Sequence, residues 1–116
     1  MVQLSPDTRL TGWDGCSGYH FSDDTIFGFS HTHLQGTGVS DYGDILFMPC
    51  TQFAEGDKWR DRYKSAFRKE TESAHAGHYE VTLDDHELAV ELTATERVGI
   101  HQYVPQGRDS VTLIVD

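Results

Sequence analysis

The chain has 116 residues, which is enough for one domain with a buried core. Its 19 acidic residues outnumber its 9 basic residues, and the formal net charge of −10 argues against nucleic acid or an anionic membrane surface as a partner, since both bind basic faces. No apolar run approaches the roughly 20 residues of a membrane span, so we expect no membrane insertion, and the first ten residues lack the pattern of a signal peptide.

The chain opens with a short strand and a long loop. Residues 2–4 are an apolar start that predicts a strand, and the Ser5-Pro6-Asp7 sequence is expected to end it. Residues 12–24 are predicted to form a loop, because glycines recur there without an apolar strand before them or a helical pattern after them. A phosphate-binding loop is therefore not indicated.

The next part of the chain predicts two strands joined by a glycine-rich loop. Residues 25–34 alternate with period two, which predicts a strand that carries His31 and His33 on the same face as two phenylalanines. Residues 35–43 are rich in glycine and predict a loop. Residues 45–48 are continuously apolar, which predicts a strand buried on both faces and ended by Pro49.

The second half of the chain is richer in strand signals. Residues 51–62 are ambiguous, and residues 63–69 are predicted to form a strand, although Trp59, Tyr63 and Phe67 also have helical spacing. Residues 78–83 and 87–95 alternate around an Asp84-Asp85-His86 turn, which predicts a hairpin.

Two further strands end the chain. Residues 97–104 predict one, with Val98 and Ile100 on one face, and residues 110–116 predict a strongly apolar one after a turn at 105–108. The whole pattern predicts an all-β fold, an antiparallel β-sandwich with little helix. A strand as apolar as the last one needs neighbours on both sides, so we expect the domain to be incomplete at both ends.

Trp13 and Asp14 are the first candidate ligand contacts. An indole can stack on the C–H face of a sugar while a neighbouring carboxylate accepts hydroxyl hydrogens. Glycines at Gly12 and Gly15 favour a loop near a ligand. A buried tryptophan followed by an aspartate turn is the alternative, and the residues alone leave both open.

His31 and His33 are the second candidate. Two imidazoles on one strand face could hold a metal ion or bind a polar ligand, or the backbone could satisfy both rings. No third ligand at metal spacing is visible, and polar ligand contact is favoured.

The acidic residues Asp23, Asp24, Asp41 and Asp44 could serve in glycoside hydrolysis or bind calcium. Their sequence contexts are good turn sequences, and that interpretation is favoured. Cys16 and Cys50 could pair in an oxidising compartment or stay free. Catalysis by Cys16 with a nearby histidine has no supporting signature.

A family resemblance rests on the same stretch. GWDGCSGYHFSDDTIFGFSHTHLQGTG, followed by SDYGDILFMP, resembles the N-terminal domain of glycoside hydrolase family 92, the exo-acting α-mannosidases. MVQLSPDT, HYEVTLDDHELAVELTATERVGIHQY and VTLIVD fit the same family. The resemblance covers nearly the whole chain, and FSHTHLQGTG is its highly specific segment.

The resemblance implies a fold and an activity. Members have an N-terminal β-sandwich, described as supersandwich-like, and a C-terminal (α/α)6 barrel, with the active site between them. They depend on Ca²⁺ and invert the anomeric configuration. The catalytic carboxylates and the Ca²⁺ ligands belong to the barrel. Residues 1–116 would then be part of a single N-terminal domain with no catalytic residue and no metal ligand of its own.

The resemblance also implies site residues and partners. Trp13 and Asp14, with the adjoining Gly15 and Cys16, would contact the terminal mannose, and His31 and His33 would line the pocket or support its loop. The partners would be an α-mannoside glycan, with α-1,2 linkage expected, and the barrel domain of the same polypeptide. The parent protein would be periplasmic or at the cell surface. A stand-alone carbohydrate-binding β-sandwich module is the alternative.

Overall fold

The computed structural model describes residues 2–10, 18–31, 45–51, 59–107 and 110–116. In chain order the strands are β1 (Ser5–Asp7), β2 (Thr25–Ile26), β3 (Gly28–Ser30), β4 (Leu46–Cys50), β5 (Ser65–Ala66), β6 (Ser73–His75), β7 (His78–Leu83), β8 (Leu88–Ala94), β9 (Gly99–Pro105) and β10 (Thr112–Val115). They form two four-stranded sheets and a separate pair of short strands, and every pairing is antiparallel. The predicted fold class, an antiparallel all-β sandwich with little helix, is confirmed.

The first sheet has the spatial order β1-β3-β4-β10. Its first strand lies where the sequence predicted a break, so the prediction that the Ser5-Pro6-Asp7 sequence ends a strand is wrong. Pro6 pairs with Phe29 in the ladder between β1 and β3. Because β1 is an edge strand, one of its sides needs no ladder hydrogen bonds, and proline is tolerated there.

A second proline lies inside β4, so the prediction that Pro49 ends this strand is also wrong. Leu46 and Asp116 exchange both backbone hydrogen bonds, and alternate residues such as Met48 therefore point their N–H groups at β10. The nitrogen of Pro49 points to the other side of the strand, where the ladder with β3 has already ended at Phe47. The proline therefore costs the sheet no ladder hydrogen bond.

The predicted strand over residues 25–34 is two strands with a break at Phe27. The Phe27 N–H donates to the carbonyl of Asp7, while β2 pairs with β5 and β3 pairs with β1 and β4. Ile26 and Phe29 fall on opposite sides of the predicted alternation, yet both are fully buried. The segment thus packs on both faces. The last three residues of the prediction lie outside the described part of the chain.

Helix is confined to short segments in the described residues. The helix α1 spans Trp59–Tyr63, and one 3-10 turn spans Lys69–Thr71. The strand predicted over residues 63–69 is therefore correct only at β5. The alternation behind that prediction is nevertheless real, because Tyr63, Ser65 and Phe67 are all buried against the core.

The second sheet has the order β6-β7-β8-β9 and contains the predicted hairpin. Its turn is one residue longer than predicted, since Glu87 belongs to it and has a φ of 51°. The strand β6 was not predicted, because its three residues are polar or small and exposed. The Ala76-Gly77 turn that joins it to β7 has Gly77 at a φ of 79°, a backbone angle that glycine adopts without strain.

Residues of β9 alternate between the two faces of the sheet, as predicted. The more exposed face is the one that carries the apolar residues. Val98 and Ile100 are 54% and 58% exposed, whereas His101 and Tyr103 point inward and are partly buried. The apolar face of the predicted strand is thus the outer face of the sheet.

The core lies between the two sheets and draws on both of them. Its buried members are Ile26, Phe29, Met48, Cys50, Tyr63, Phe67, Val81, Leu83, Leu88, Val90 and Leu92. In the described ranges, no helix has the length and apolar character needed to cross a bilayer.

Candidate functional site

Of the residues predicted to contact the substrate, His31 is the one that the structure describes. Trp13, Asp14, Gly15, Cys16 and His33 lie outside the described residues, and their roles remain predictions. His31 follows directly on β3, and its backbone N–H donates to the carbonyl of Ile45 beside β4. The half-buried imidazole points toward the second sheet.

His31 meets a second imidazole there. Its Nδ1 lies 3.2 Å from Nε2 of His101 on β9, and the two rings are nearly parallel, with centroids 5.4 Å apart. The ring of Phe47 presents an edge contact to each imidazole, at 6.1 Å from His31 and 5.0 Å from His101. Residues from both sheets therefore fix the orientation of the His31 ring.

Tyr103 extends this contact into a relay. Its hydroxyl lies 2.9 Å from Nδ1 of His101. If both rings are neutral, the hydrogen bonds can run in either direction. In one, the hydroxyl donates to His101 Nδ1 and His101 Nε2–H donates to His31 Nδ1, and in the other His31 Nδ1–H and His101 Nδ1–H are the donors. Burial lowers the pKa of His101, and the nearby His31 lowers it further, so the neutral form of His101 is favoured. Nε2 of His31 is a donor in the first direction and an acceptor in the second.

The relay indicates what His31 can do chemically. An imidazole with a fixed ring plane is a positioned hydrogen-bonding group. Metal binding through His31 Nδ1 would require this atom to release its contact with His101. Polar contact through the other ring nitrogen needs no such change.

Gly99 makes the close packing of His31 feasible. A Cβ atom at this position would lie 2.7 Å from Cε1 of His31 and 2.9 Å from Cδ2 of Leu4. Distances this short do not occur between real side chains, so a neighbouring group would have to move. The glycine is needed here for close approach rather than for an unusual backbone angle.

Gly99→Ala should displace His31 and lower the free energy of unfolding by about 1–3 kcal/mol, the usual cost of overpacking. Chemical denaturation measures the stability, and imidazole proton NMR measures the ring positions. Ile100→Ala is the control, because Ile100 is 58% exposed and a surface change should stay within about 0.5 kcal/mol. A Gly99→Ala protein with unchanged His31 and His101 resonances would contradict the packing argument.

The acidic candidates divide between structural residues and residues outside the described ranges. Both carboxylate oxygens of Asp23 accept hydrogen bonds from Arg9, at 2.8 and 2.9 Å, and Thr8 Oγ1 donates at 2.8 Å. The hydrogen bond from Arg9 is the main reason that the pKa of Asp23 is lowered. This carboxylate fastens a loop, as its turn sequence suggested. Asp41 and Asp44 lie outside the described part of the chain.

Two buried groups complete the picture. Asp7 on β1 is 6% exposed and accepts a hydrogen bond of 3.1 Å from Ser30 Oγ, the residue next to His31. Burial raises the pKa of Asp7 to about 7, although the Ser30 hydrogen bond opposes the shift. Cys50 is free and fully buried, and burial raises the pKa of its thiol, so it is not a reactive nucleophile. Cys16 lies outside the described residues.

His101, Tyr103 and Asp7 were not identified from the sequence. A signal for His101 existed, since alternation in β9 places it on the face opposite Val98 and Ile100. No sequence pattern links His101 to His31, which is 70 positions away.

Comparisons with known proteins identify the domain. The family model of the glycosyl hydrolase family 92 N-terminal domain matches residues 1–116. A solved family GH92 alpha-mannosidase from Bacteroides thetaiotaomicron, determined with mannoimidazole, is 34% identical, with a TM-score of 0.87 over 99% of this chain and 16% of its own. No match was found among curated proteins.

A second relative extends the likeness. A family GH92 inverting mannosidase from the same organism is 25% identical, with a TM-score of 0.79 over 100% of this chain and 15% of its own. The chain thus spans about a sixth of the length of these solved relatives. Since the family model covers all of its residues, the chain belongs to glycosyl hydrolase family 92, in which it corresponds to the N-terminal domain.

Proposed function

We propose that this chain is part of an exo-acting α-mannosidase that removes terminal mannose from glycans. The observation that carries the proposal is the 34% identity and TM-score of 0.87 to a GH92 alpha-mannosidase across 99% of the chain. The chain spans 16% of that relative, so the activity would belong to a much longer polypeptide. We place this polypeptide in the periplasm or at the cell surface.

In this proposal the domain contributes substrate and interface contacts rather than catalytic groups. An inverting glycosidase needs one carboxylic acid to protonate the leaving oxygen and one carboxylate to activate water. Two described carboxylates have partners and surroundings that do not suit these roles. Asp23 is bound by Arg9, and Asp7 is buried beneath the sheet edge with Ser30.

By the family resemblance, the catalytic pair and the ligands of a Ca²⁺ ion would lie in the barrel domain. We propose that the enzyme inverts the anomeric configuration and prefers α-1,2 linkages. Ca²⁺ is a hard cation that takes oxygen ligands and can order sugar hydroxyls and water near the bond to be broken. This chain would form one wall of that pocket.

The proposed contacts come from residues 13–16, which the sequence predicts to lie in a loop. Trp13 would stack on the apolar face of the terminal mannose, and Asp14 would accept hydrogens from its hydroxyls. Gly15 and Cys16 would allow the backbone to approach the ring. His31 supports this role through the fixed orientation of its imidazole, and His33 is proposed to act beside it.

An assay with an α-1,2-linked mannobiose and Ca²⁺ tests whether the catalytic groups belong to the barrel domain and not to this chain. The 116-residue chain should release no mannose, whereas the chain joined to a family 92 barrel domain should. Trp13→Ala in the joined protein should lower kcat/KM at least about ten-fold, a loss of 1.4 kcal/mol. Phe21→Ala is the control, since Phe21 is 73% exposed. Turnover by the chain alone would contradict the proposal.

Calorimetry with the same chain distinguishes the alternative of a stand-alone carbohydrate-binding module. A pocket that lacks one wall should bind mannose weakly, because the ring would keep much of its contact with water. A tight complex between mannose and the chain alone would favour the module.

A further inference from the structure

Three metal-binding side chains meet on the outer face of the second sheet. His78 and Glu80 are two residues apart on β7, so both point to the same face. Glu91 on β8 lies directly opposite Glu80 in the ladder. One donor atom from each of the three side chains lies within 4.8 Å of the other two.

The arrangement places two negative charges side by side. Like charges directly opposite each other in an antiparallel pair are destabilising. Among the described residues, neither Glu80 nor Glu91 forms an ion pair with lysine or arginine. The formal net charge of −10 on the whole chain adds to the repulsion between these two carboxylates. A cation between the two carboxylates would remove this cost.

His78 offers a nitrogen ligand beside these two carboxylates. Its Nε2 lies 2.6 Å from Oε1 of Glu91, while its Nδ1 is buried and has no hydrogen-bond partner among the described residues. Nε2 is thus the ring nitrogen that faces the carboxylate of Glu91. When the hydrogen of a neutral ring lies on Nδ1, the lone pair on Nε2 can bind a metal in place of this contact. The metal would then supply the positive charge between the two carboxylates.

The surroundings suit a preformed but accessible site. The strands β7 and β8 are the two central strands of their sheet, so neighbours on both sides fix the backbone of all three residues. The side chains of His78 and Glu91 are 21% and 46% exposed. Glu80 and Glu91 also line a shallow depression of about 340 Å³, which has room for water ligands.

We propose that His78, Glu80 and Glu91 bind one divalent transition-metal ion of the zinc class, with water completing its coordination. Zn²⁺ binds both imidazole nitrogen and carboxylate oxygen, and sites with three protein ligands complete their coordination with water. Ca²⁺ prefers an all-oxygen set, so the imidazole selects against it. The ion would cross-link the hairpin on the outer face of the sandwich.

Zn²⁺ titration by calorimetry and by thermal unfolding tests the site in the 116-residue chain. The chain should bind one Zn²⁺ and unfold at a higher temperature when the ion is present. Glu80→Gln, Glu91→Gln and His78→Gln should each weaken binding at least about ten-fold, because even indirect supports of metal ligands have effects of that size. Circular dichroism verifies that each variant is folded.

Glu80→Gln provides a second test, because its effect on the unfolding temperature should differ in sign between EDTA and Zn²⁺. In EDTA it should unfold at or above the temperature of the parent, because it removes the repulsion with Glu91. In Zn²⁺ it should unfold below the parent, since it no longer gains from the ion. His20→Ala is the matched control, because His20 is an exposed histidine outside the cluster.

Two results would overturn the proposal. One is Zn²⁺ binding that all three cluster substitutions leave unchanged, which would assign the ion to other histidines or cysteines. The other is a thermal shift that is equal in the parent and in Glu80→Gln. Retention of Zn²⁺ binding by His20→Ala, together with its loss in the three cluster variants, would support it.

Discussion

Phe29→Ala should lower the free energy of unfolding by about 3–5 kcal/mol, which is the usual cost of deleting a buried phenylalanine ring. Phe29 has no exposed surface and lies on β3, one of the two inner strands of the first sheet. Its ring centroid lies 6.5 Å from that of Tyr103 on the second sheet. The truncation would therefore open a cavity at the contact between the sheets.

The matched control for this change is Phe21→Ala. It removes the same ring from a position that is 73% exposed. Lys69 Nζ lies 4.7 Å from the centroid of this ring. Removal of such an exposed cation–π contact should cost about 0.5–1 kcal/mol. Urea denaturation with a common slope measures both variants. Similar losses for the two would mean that Phe29 is not part of a packed core.

The pattern of alternation predicted the second sheet better than the first. In β7 and β8 every other residue is apolar, and these residues form the inner face as expected. The register was harder to predict than the strands. A three-residue turn would place Glu80 opposite Val90, whereas the four-residue turn ending at Glu87 places it opposite Glu91. Glutamate rarely adopts a positive φ, so nothing in the residues indicated that the turn includes Glu87.

The two prolines show why the first sheet was less predictable. Whether a strand tolerates proline depends on which of its sides faces a neighbour at that residue. Pro6 lies on an edge strand, and Pro49 lies beyond the end of the ladder with β3. Both conditions are properties of the assembled sheet and cannot be read from the residues around the proline.

The candidate site was predictable only in its local part. The sequence identified His31 from its place on a strand near a glycine-rich loop. It could not identify His101, because the two rings meet only when the sheets pack against each other. The same packing buries Asp7, whose sequence context is an ordinary turn signal. Interactions between distant segments thus determine the protonation of both groups.

Asp7→Asn should stabilise the protein at pH 8 by at most about 4 kcal/mol, and this gain should vanish near pH 4. Burial raises the pKa of Asp7 from 3.8 to about 7, so the folded state holds its proton over a range where the unfolded state loses it. The folded state then binds more protons, and stability falls as the pH rises from about 4 to about 7. Each unit of the shift is worth 1.36 kcal/mol, which sets the upper limit.

Asparagine keeps an oxygen that can accept the hydrogen bond from Ser30, so the substitution mainly removes the titration. Any cost of its two N–H donors is independent of pH, and the difference in unfolding free energy between variant and parent therefore reports on Asp7 alone. Denaturation between pH 4 and pH 8 measures that difference. Asp24→Asn controls for the loss of one negative charge, since Asp24 is exposed. A difference that stays constant across this range would show that folding does not raise the pKa of Asp7.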